Sequence, residues 1–421
     1  MNKVLIVTYY WPPSGGAGVQ RWLKFSKYLP EFGWEPIILT VDPEYATYPV
    51  TDFSFKDDLP SSVKVYKTPA TNYFSIYNKD TSKIPSAGFA NSIDNTFKGK
   101  VLRFLRGNLF IPDPRIGWNK YAFKKACELI ESEGIKNIIT TSPPHSTQLI
   151  GLKLKRKFPS INWIADLRDP WTDIYYYDQF YPTFLSKAID LNFERQVLDK
   201  ADKVITVGES LKNLFSAKSK GVESKTEVIT NGYDEPDFKV ISVSSPPLFT
   251  ITYVGTLSDN YPIECFLDAI SLFNIRIKNY KIRFIGTVSP VHSELIKSRI
   301  PETYLEFIPY VKHSSAIEYM LGTTVLLLII PNHPSNKSII TGKLFEYLAS
   351  EKPIICIGPP DGDAAAIIEE TAHGMTFSYY DSKGISEYLI KISDLLEVIM
   401  KSPIKFSRIE LTRKIIPLLK P

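Results

Sequence analysis

Three groups of residues in this chain have the types and spacing to do chemistry. The first is Thr341-Gly342-Lys343-Leu344-Phe345-Glu346. Amides and an ammonium at a helix start suit a diphosphate, and a carboxylate one turn on can accept both hydroxyls of a ribose. Together they describe a pocket for a nucleotide sugar. A solvated i,i+3 ion pair between Lys343 and Glu346 accounts for the same spacing without a ligand. The second group is Gly15-Gly16-Ala17-Gly18, which follows an apolar run and precedes a helical window. Glycines there let the backbone turn tightly and approach an anion at the helix start. The third group is His145 with Asp166, Arg168, Asp169 and Trp171. A neutral imidazole can donate to a ligand hydroxyl, and a carboxylate such as Asp169 can act as a general base. Asp166, Arg168 and Trp171 have the groups to bind a ligand's hydroxyls, with mutual ion pairing and helix capping as the competing account.

Something must hold these groups at strand ends. Short apolar, β-branched runs alternate with amphipathic windows, the pattern of a parallel sheet buried on both faces, so the class is α/β. Strands are expected at 3–8, 36–41, 63–66, 137–141, 162–165, 203–207 and 227–230, and in a second series at 249–254, 282–285, 305–307, 325–330 and 353–357. A link with serines and two prolines at 240–247 separates the series, giving domains 1–238 and 239–404. Each is doubly wound, and the expected arrangement has both presenting their strand ends to a central cleft. Thr341 should N-cap a helix buried along Leu344, Phe345 and Leu348 and stopped by Pro353.

Composition removes other classes. With 421 residues, 44% of them hydrophobic and 23% charged, the chain can bury two ordinary cores. A net charge of +5 is too small for wholesale binding to a nucleic-acid backbone. Cys127, Cys265 and Cys356 lack zinc or disulfide spacing, which fits a reducing cytoplasm, and no metal site is expected. The run at the start, broken by Trp11-Pro12-Pro13, reads as a buried strand and not as a signal peptide, and no apolar run reaches the roughly 20 residues needed to span a bilayer. Charge is concentrated locally. Between 98 and 125 eight basic residues face the single acid Asp113, interleaved with apolar positions, which reads either as a charged helix face or as a segment drawn to an anionic membrane surface. A dinucleotide site at Gly16-Ala17-Gly18-Val19-Gln20-Arg21, with Asp42 on the ribose, lacks the third glycine of its fingerprint.

Taken in order, Gly15-Gly16-Ala17-Gly18, residues 201–207 with Glu209-Ser210, residues 229–234, 253–257 and 342–349 resemble successive landmarks of the family 4 glycosyltransferases of GT-B fold, over nearly the whole chain. The segments 141–146 and 166–171 resemble a bacterial subgroup working in surface-polysaccharide assembly. The resemblance implies two Rossmann-like domains, with the last helix, 405–421, returning to the first. It implies retaining transfer from a UDP- or GDP-linked sugar without metal, cofactor or covalent intermediate, to a glycan or a polyprenyl-diphosphate-linked acceptor, at the inner face of the cell membrane. The N-terminal domain would hold the acceptor and the C-terminal domain the donor. The implied donor set is Gly15, Gly16, Gly18, Gly255, Thr256, Tyr310, Ser338, Thr341, Gly342, Lys343, Leu344 and Glu346, with His145, Lys343 and Asp169 catalytic. The resemblance would make Asp166, Arg168 and Trp171 acceptor-binding, and Asp169 a general base if the transfer inverts. Ser338 replaces the first acid of the family's glutamate pair, and Thr256 and Tyr261 replace an Arg and a Lys. A sugar-nucleotide epimerase and an inactive binding homologue are the alternatives these departures admit.

Overall fold

The computed structural model describes residues 1–49, 51–53, 58, 63–73, 96–239, 246–274, 279–394, 400 and 403–421. Most of the expected link at 240–247 lies outside them. Contacts divide the chain into two units, 1–230 with 408–421, and 231–407. The division falls ahead of the expected boundary at 238 because Tyr233 belongs to the second unit. Its amide donates to Phe406 O at 3.2 Å, and its ring packs in that unit's core.

Unit 1 contains β1 (Asn2–Val7), β2 (Trp34–Val41), β3 (Lys64–Thr68), β4 (Asn137–Ser142), β5 (Asn162–Leu167), β6 (Lys203–Thr206) and β7 (Thr226–Val228). They form one sheet in the order β3-β2-β1-β4-β5-β6-β7, parallel throughout. Unit 2 contains β8 (Phe249–Val254), β9 (Tyr280–Ile285), β10 (Leu305–Ile308), β11 (Val325–Ile329), β12 (Ile354–Ile357) and β13 (Gly374–Phe377), in the parallel order β10-β9-β8-β11-β12-β13. Successive side chains on a strand point to opposite faces, so a doubly covered sheet must be apolar at every position. In β1, Leu5 and Val7 enter one core and Val4 and Ile6 the other. In β11, Leu327 and Ile329 do the same against Leu326 and Leu328. Strand β13 was not expected, being four residues that open on glycine. That glycine is required: a Cβ on Gly374 would lie 1.9 Å from Ile354 O of the neighbouring strand.

The chain reverses its direction of strand addition between β1 and β4 in unit 1, and between β8 and β11 in unit 2. Loops diverge at such points and leave a crevice at the carboxyl ends of the strands. Unit 1 is completed from the far end of the chain. Leu411, Ile415, Leu418 and Leu419 join its second core, and the side-chain amides of Asn137 and Asn162 donate to Lys420 O at 2.7 Å and Leu418 O at 2.9 Å.

Candidate functional site

In unit 2 the reversal point gathers Gly255, just past β8, and the start of the helix Gly342–Ala349, which follows β11. The helix forms where expected, with Leu344, Phe345, Tyr347 and Leu348 fully buried. Its first N–H groups have no partners within the helix. Thr341 occupies the N-cap position but makes no side-chain cap; its hydroxyl is buried with no hydrogen-bond partner among the described residues. Lys343 Nζ donates to the Tyr253 hydroxyl at 2.9 Å and lies 4.2 Å from that ring's centre, and Tyr253 in turn donates to Thr256 O at 2.7 Å. Gly255, at φ 116°, is needed there, because a Cβ would approach Lys343 Nζ to 3.0 Å. Desolvation pulls the Lys343 ammonium down to about 7, against the opposing charge of Glu346.

Glu346 is not paired with Lys343 as the ion-pair reading supposed. Its Oε1 lies 2.8 Å from His313 Nε2, at the start of the helix His313–Leu321. Sequence reasoning missed His313, because a single histidine outside any motif carries no signal of what it will face. Leu344 is corrected as a contact residue, since its side chain is fully buried and its amide donates to Thr341 O at 3.1 Å. Thr256 and Tyr310 are exposed, and Ser338 Oγ donates to Ser335 O at 3.1 Å. Tyr261 is buried in the core beside Leu257 and Ile263, so an aromatic ring packs where the family implies a lysine.

In unit 1 the loops after β1, β4 and β5 are neighbours because those strands are. Gly16 has φ 90° and precedes the helix Ala17–Tyr28. Arg168 ties all three loops together, donating to Ser142 O at 3.0 Å and to Gly18 O at 3.2 Å; a Cβ on Gly18 would meet its guanidinium at 3.4 Å. Asp166 is fully buried and corrected as an acceptor contact. Arg21 reaches it at 3.3 and 3.0 Å, Trp22 Nε1 at 2.7 Å and the Thr141 hydroxyl at 2.7 Å, which saturates the carboxylate from inside the fold. The loops are set by this network, and Arg21 and Trp22 were the members the sequence did not disclose. Asp42 accepts from Glu44 N at 3.0 Å within its own turn.

Beyond the loops lies a cavity of about 70 Å³, walled in part by Tyr10, Arg106, Arg115, His145, Trp171 and Tyr176. His145 stacks on Trp171, centres 4.9 Å apart at 13°, and its Nδ1 is buried with no hydrogen-bond partner among the described residues. Desolvation, aided by Arg168 and Lys218, pulls the imidazole down to about 3, so it stays neutral. Trp171 is itself buried and donates to Asp190 Oδ1 at 2.7 Å. Asp169 is half-buried, and burial raises its carboxyl against the pull of Arg168.

This architecture was compared with solved structures. Over 99% of its length the chain is similar to sucrose-phosphate synthase from Thermosynechococcus elongatus, covering 95% of that chain at TM-score 0.59 and 14% identity. It is similar to Anabaena HepE in complex with UDP, covering 99% of each chain at TM-score 0.63 and 11% identity. The chain has the GT-B fold. A third GT-B structure, the lipopolysaccharide outer core galactosyltransferase WaaB, is similar over 99% of each chain at TM-score 0.58 and 11% identity. No family model and no curated protein matches the sequence.

Proposed function

We propose that this chain is a glycosyltransferase that takes a sugar from a nucleoside diphosphate held by unit 2 and passes it to an acceptor held by unit 1. One observation carries the reading. The desolvated ammonium of Lys343 stands at the start of the helix Gly342–Ala349, beside glycine backbone at the end of β8, with the carboxylate of Glu346 one turn further on. When the bond from the sugar carbon to the phosphate oxygen breaks, its electron pair stays with the leaving diphosphate, which gains one negative charge. Preorganised dipoles and a cation already stripped of water stabilise that charge most strongly. Lys343, the amides at Gly342 and Lys343, and the Thr341 hydroxyl supply them. Glu346 accepts the ribose hydroxyls, and His313 orients its carboxylate. The neutral His145 donates to a sugar hydroxyl in the acceptor cavity, the departing diphosphate takes the acceptor hydroxyl's proton in a front-face attack, and Asp169 is the general base if the transfer inverts instead. Charge stabilisation by one ammonium and backbone amides needs neither metal nor cofactor, and front-face attack gives retention. A UDP- or GDP-linked donor and a glycan or polyprenyl-diphosphate-linked acceptor of surface-polysaccharide assembly fit this chemistry. The UDP in the Anabaena structure supports the donor class.

Thermal unfolding in the presence of UDP, GDP, ADP and their sugars tests it. A nucleotide present at 100 times its Kd adds about 2.7 kcal/mol to stability, so one of the three should raise the midpoint by several degrees. No shift with any would reject the donor site. Glu346→Ala should abolish the shift, because the ribose hydroxyls lose a charged acceptor in a desolvated pocket. His313→Gln, which keeps a donor at that position, should retain most of it. Titration of the nucleotide by calorimetry checks both.

A further inference from the structure

The basic stretch from 98 to 125 does not form one surface. Arg115 is buried, and Arg106 lies with its guanidinium 3.9 Å from the ring centre of Phe180. The outward part is the helix Phe97–Leu109, and it is joined there by a second element that the charge pattern gave no reason to include. Phe97, Val101 and Phe104 fall at i, i+4 and i+7, on one stripe, and are 84%, 40% and 44% exposed. The next position on that stripe is Asn108. Its side chain donates to Tyr181 O at 3.0 Å and accepts from Thr183 N and the Ser186 hydroxyl, both at 2.7 Å. The stripe therefore runs into the start of the helix Phe184–Lys200, where Phe184 is 92% exposed and Leu185 68%. Gly107 lets the first helix close on the turn Tyr177–Phe180 that leads into the second, since a Cβ there would lie 2.4 Å from Phe180 O.

We infer that this two-helix face of unit 1 docks on a bilayer surface carrying anionic lipid headgroups. Rings that stand almost wholly in water are costly to a chain that has no use for them. Lys98, Lys100 and Lys187 are exposed on the same two helices as these rings. That mixture decides the occupant. The core of a protein interface is depleted in lysine, whereas an interfacial helix places apolar side chains among the acyl chains and lets lysines reach back to the headgroups. Each basic residue near such a surface adds about 1 kcal/mol of attraction, which corresponds to roughly fivefold in binding. The Phe180 and Tyr181 rings, covered by Arg106 and Arg103, pin the helices together, so the face is presented as one piece.

The inference stands apart from the transferase reading, and its test uses neither donor nor acceptor. The full chain is sedimented with vesicles of pure phosphatidylcholine and of phosphatidylcholine with 30 mol% (about a third) phosphatidylglycerol. Binding to the anionic vesicles at low salt, weakened by added salt, is expected. Phe97→Ser with Phe184→Ser should reduce it at least tenfold, and Lys98→Ser, Lys100→Ser and Lys187→Ser together should reduce it by about a hundredfold. These side chains are exposed, and circular dichroism should be unchanged. In a Phe184→Trp variant, the added tryptophan should shift its emission to the blue with anionic vesicles and be quenched by brominated acyl chains. Binding unaffected by the paired Phe variant, or an unmoved tryptophan spectrum, overturns the proposal. So does a concentration-dependent dimer in sedimentation velocity that the Phe variant abolishes, which would assign the face to a second copy.

Discussion

Lys343→Ala is expected to lower kcat for glycosyl transfer by about 10²–10³, the loss typical when one preorganised donor to a developing anion is removed. The effect should fall on kcat and on nucleotide affinity together, because the leaving diphosphate is present in both ground and transition states and gains charge between them. A pH signature accompanies it. In the free protein, burial depresses the ammonium to about 7, so it gives up its proton far more readily than an exposed lysine. A diphosphate selects the charged form and raises that pKa. Binding therefore takes up a proton, and affinity is full below about pH 7 and declines by up to tenfold per pH unit above it. Calorimetry of nucleotide binding between pH 6 and 9, in buffers of different ionisation enthalpy, should show this uptake. The slope should vanish in Lys343→Ala. A pH-independent affinity in the wild-type chain would remove Lys343 from the diphosphate.

Asp166→Ala is the substitution expected to harm the fold most. It strands a guanidinium that, like the lost carboxylate, is fully buried, and removes an acceptor from Trp22 Nε1 and the Thr141 hydroxyl. Breaking one side of a buried pair costs about 3–5 kcal/mol, or roughly 6–20 °C in the unfolding midpoint for a domain of this size. Arg21 also donates to Ile229 O and Thr230 O at 2.8 Å, so the end of the last strand of unit 1 should loosen with it. Replacing both partners by apolar residues, Arg21→Met with Asp166→Leu, should recover part of the loss. Denaturant unfolding of the two variants measures both quantities. A loss below about 1 kcal/mol for Asp166→Ala would mean that water reaches the pair.

Much of the sheet architecture was legible, because a strand buried on both faces writes itself as a continuous apolar run. Residues 249–254 and 325–329 could be little else. What failed was the strand that depends on one close approach: Gly374 is a strand residue only because Ile354 leaves no room for a side chain. The candidate site was legible wherever a motif fixes backbone and side chain together, as at Gly342-Lys343. It was obscure where function rests on contacts between distant residues. Asp166 read as an acceptor-binding acid at a strand end, and nothing local reveals that Arg21, 145 residues away, neutralises it from within. The same blindness hid His313 behind Glu346. Charge density along 98–125 misled in another way, since it averages over side chains that the fold sends in opposite directions.

The carbonyls of Leu418 and Lys420 are held by Asn162 and Asn137, in the middle strands of unit 1. On the ribosome those strands emerge long before their partners, with all of unit 2 translated in between. Unit 1 is sealed by a segment made after unit 2, whereas the residues of unit 2 follow one another without interruption. The order of synthesis thus reverses the order of completion, and a chaperone engaging nascent chains of this protein should be found on its earlier half.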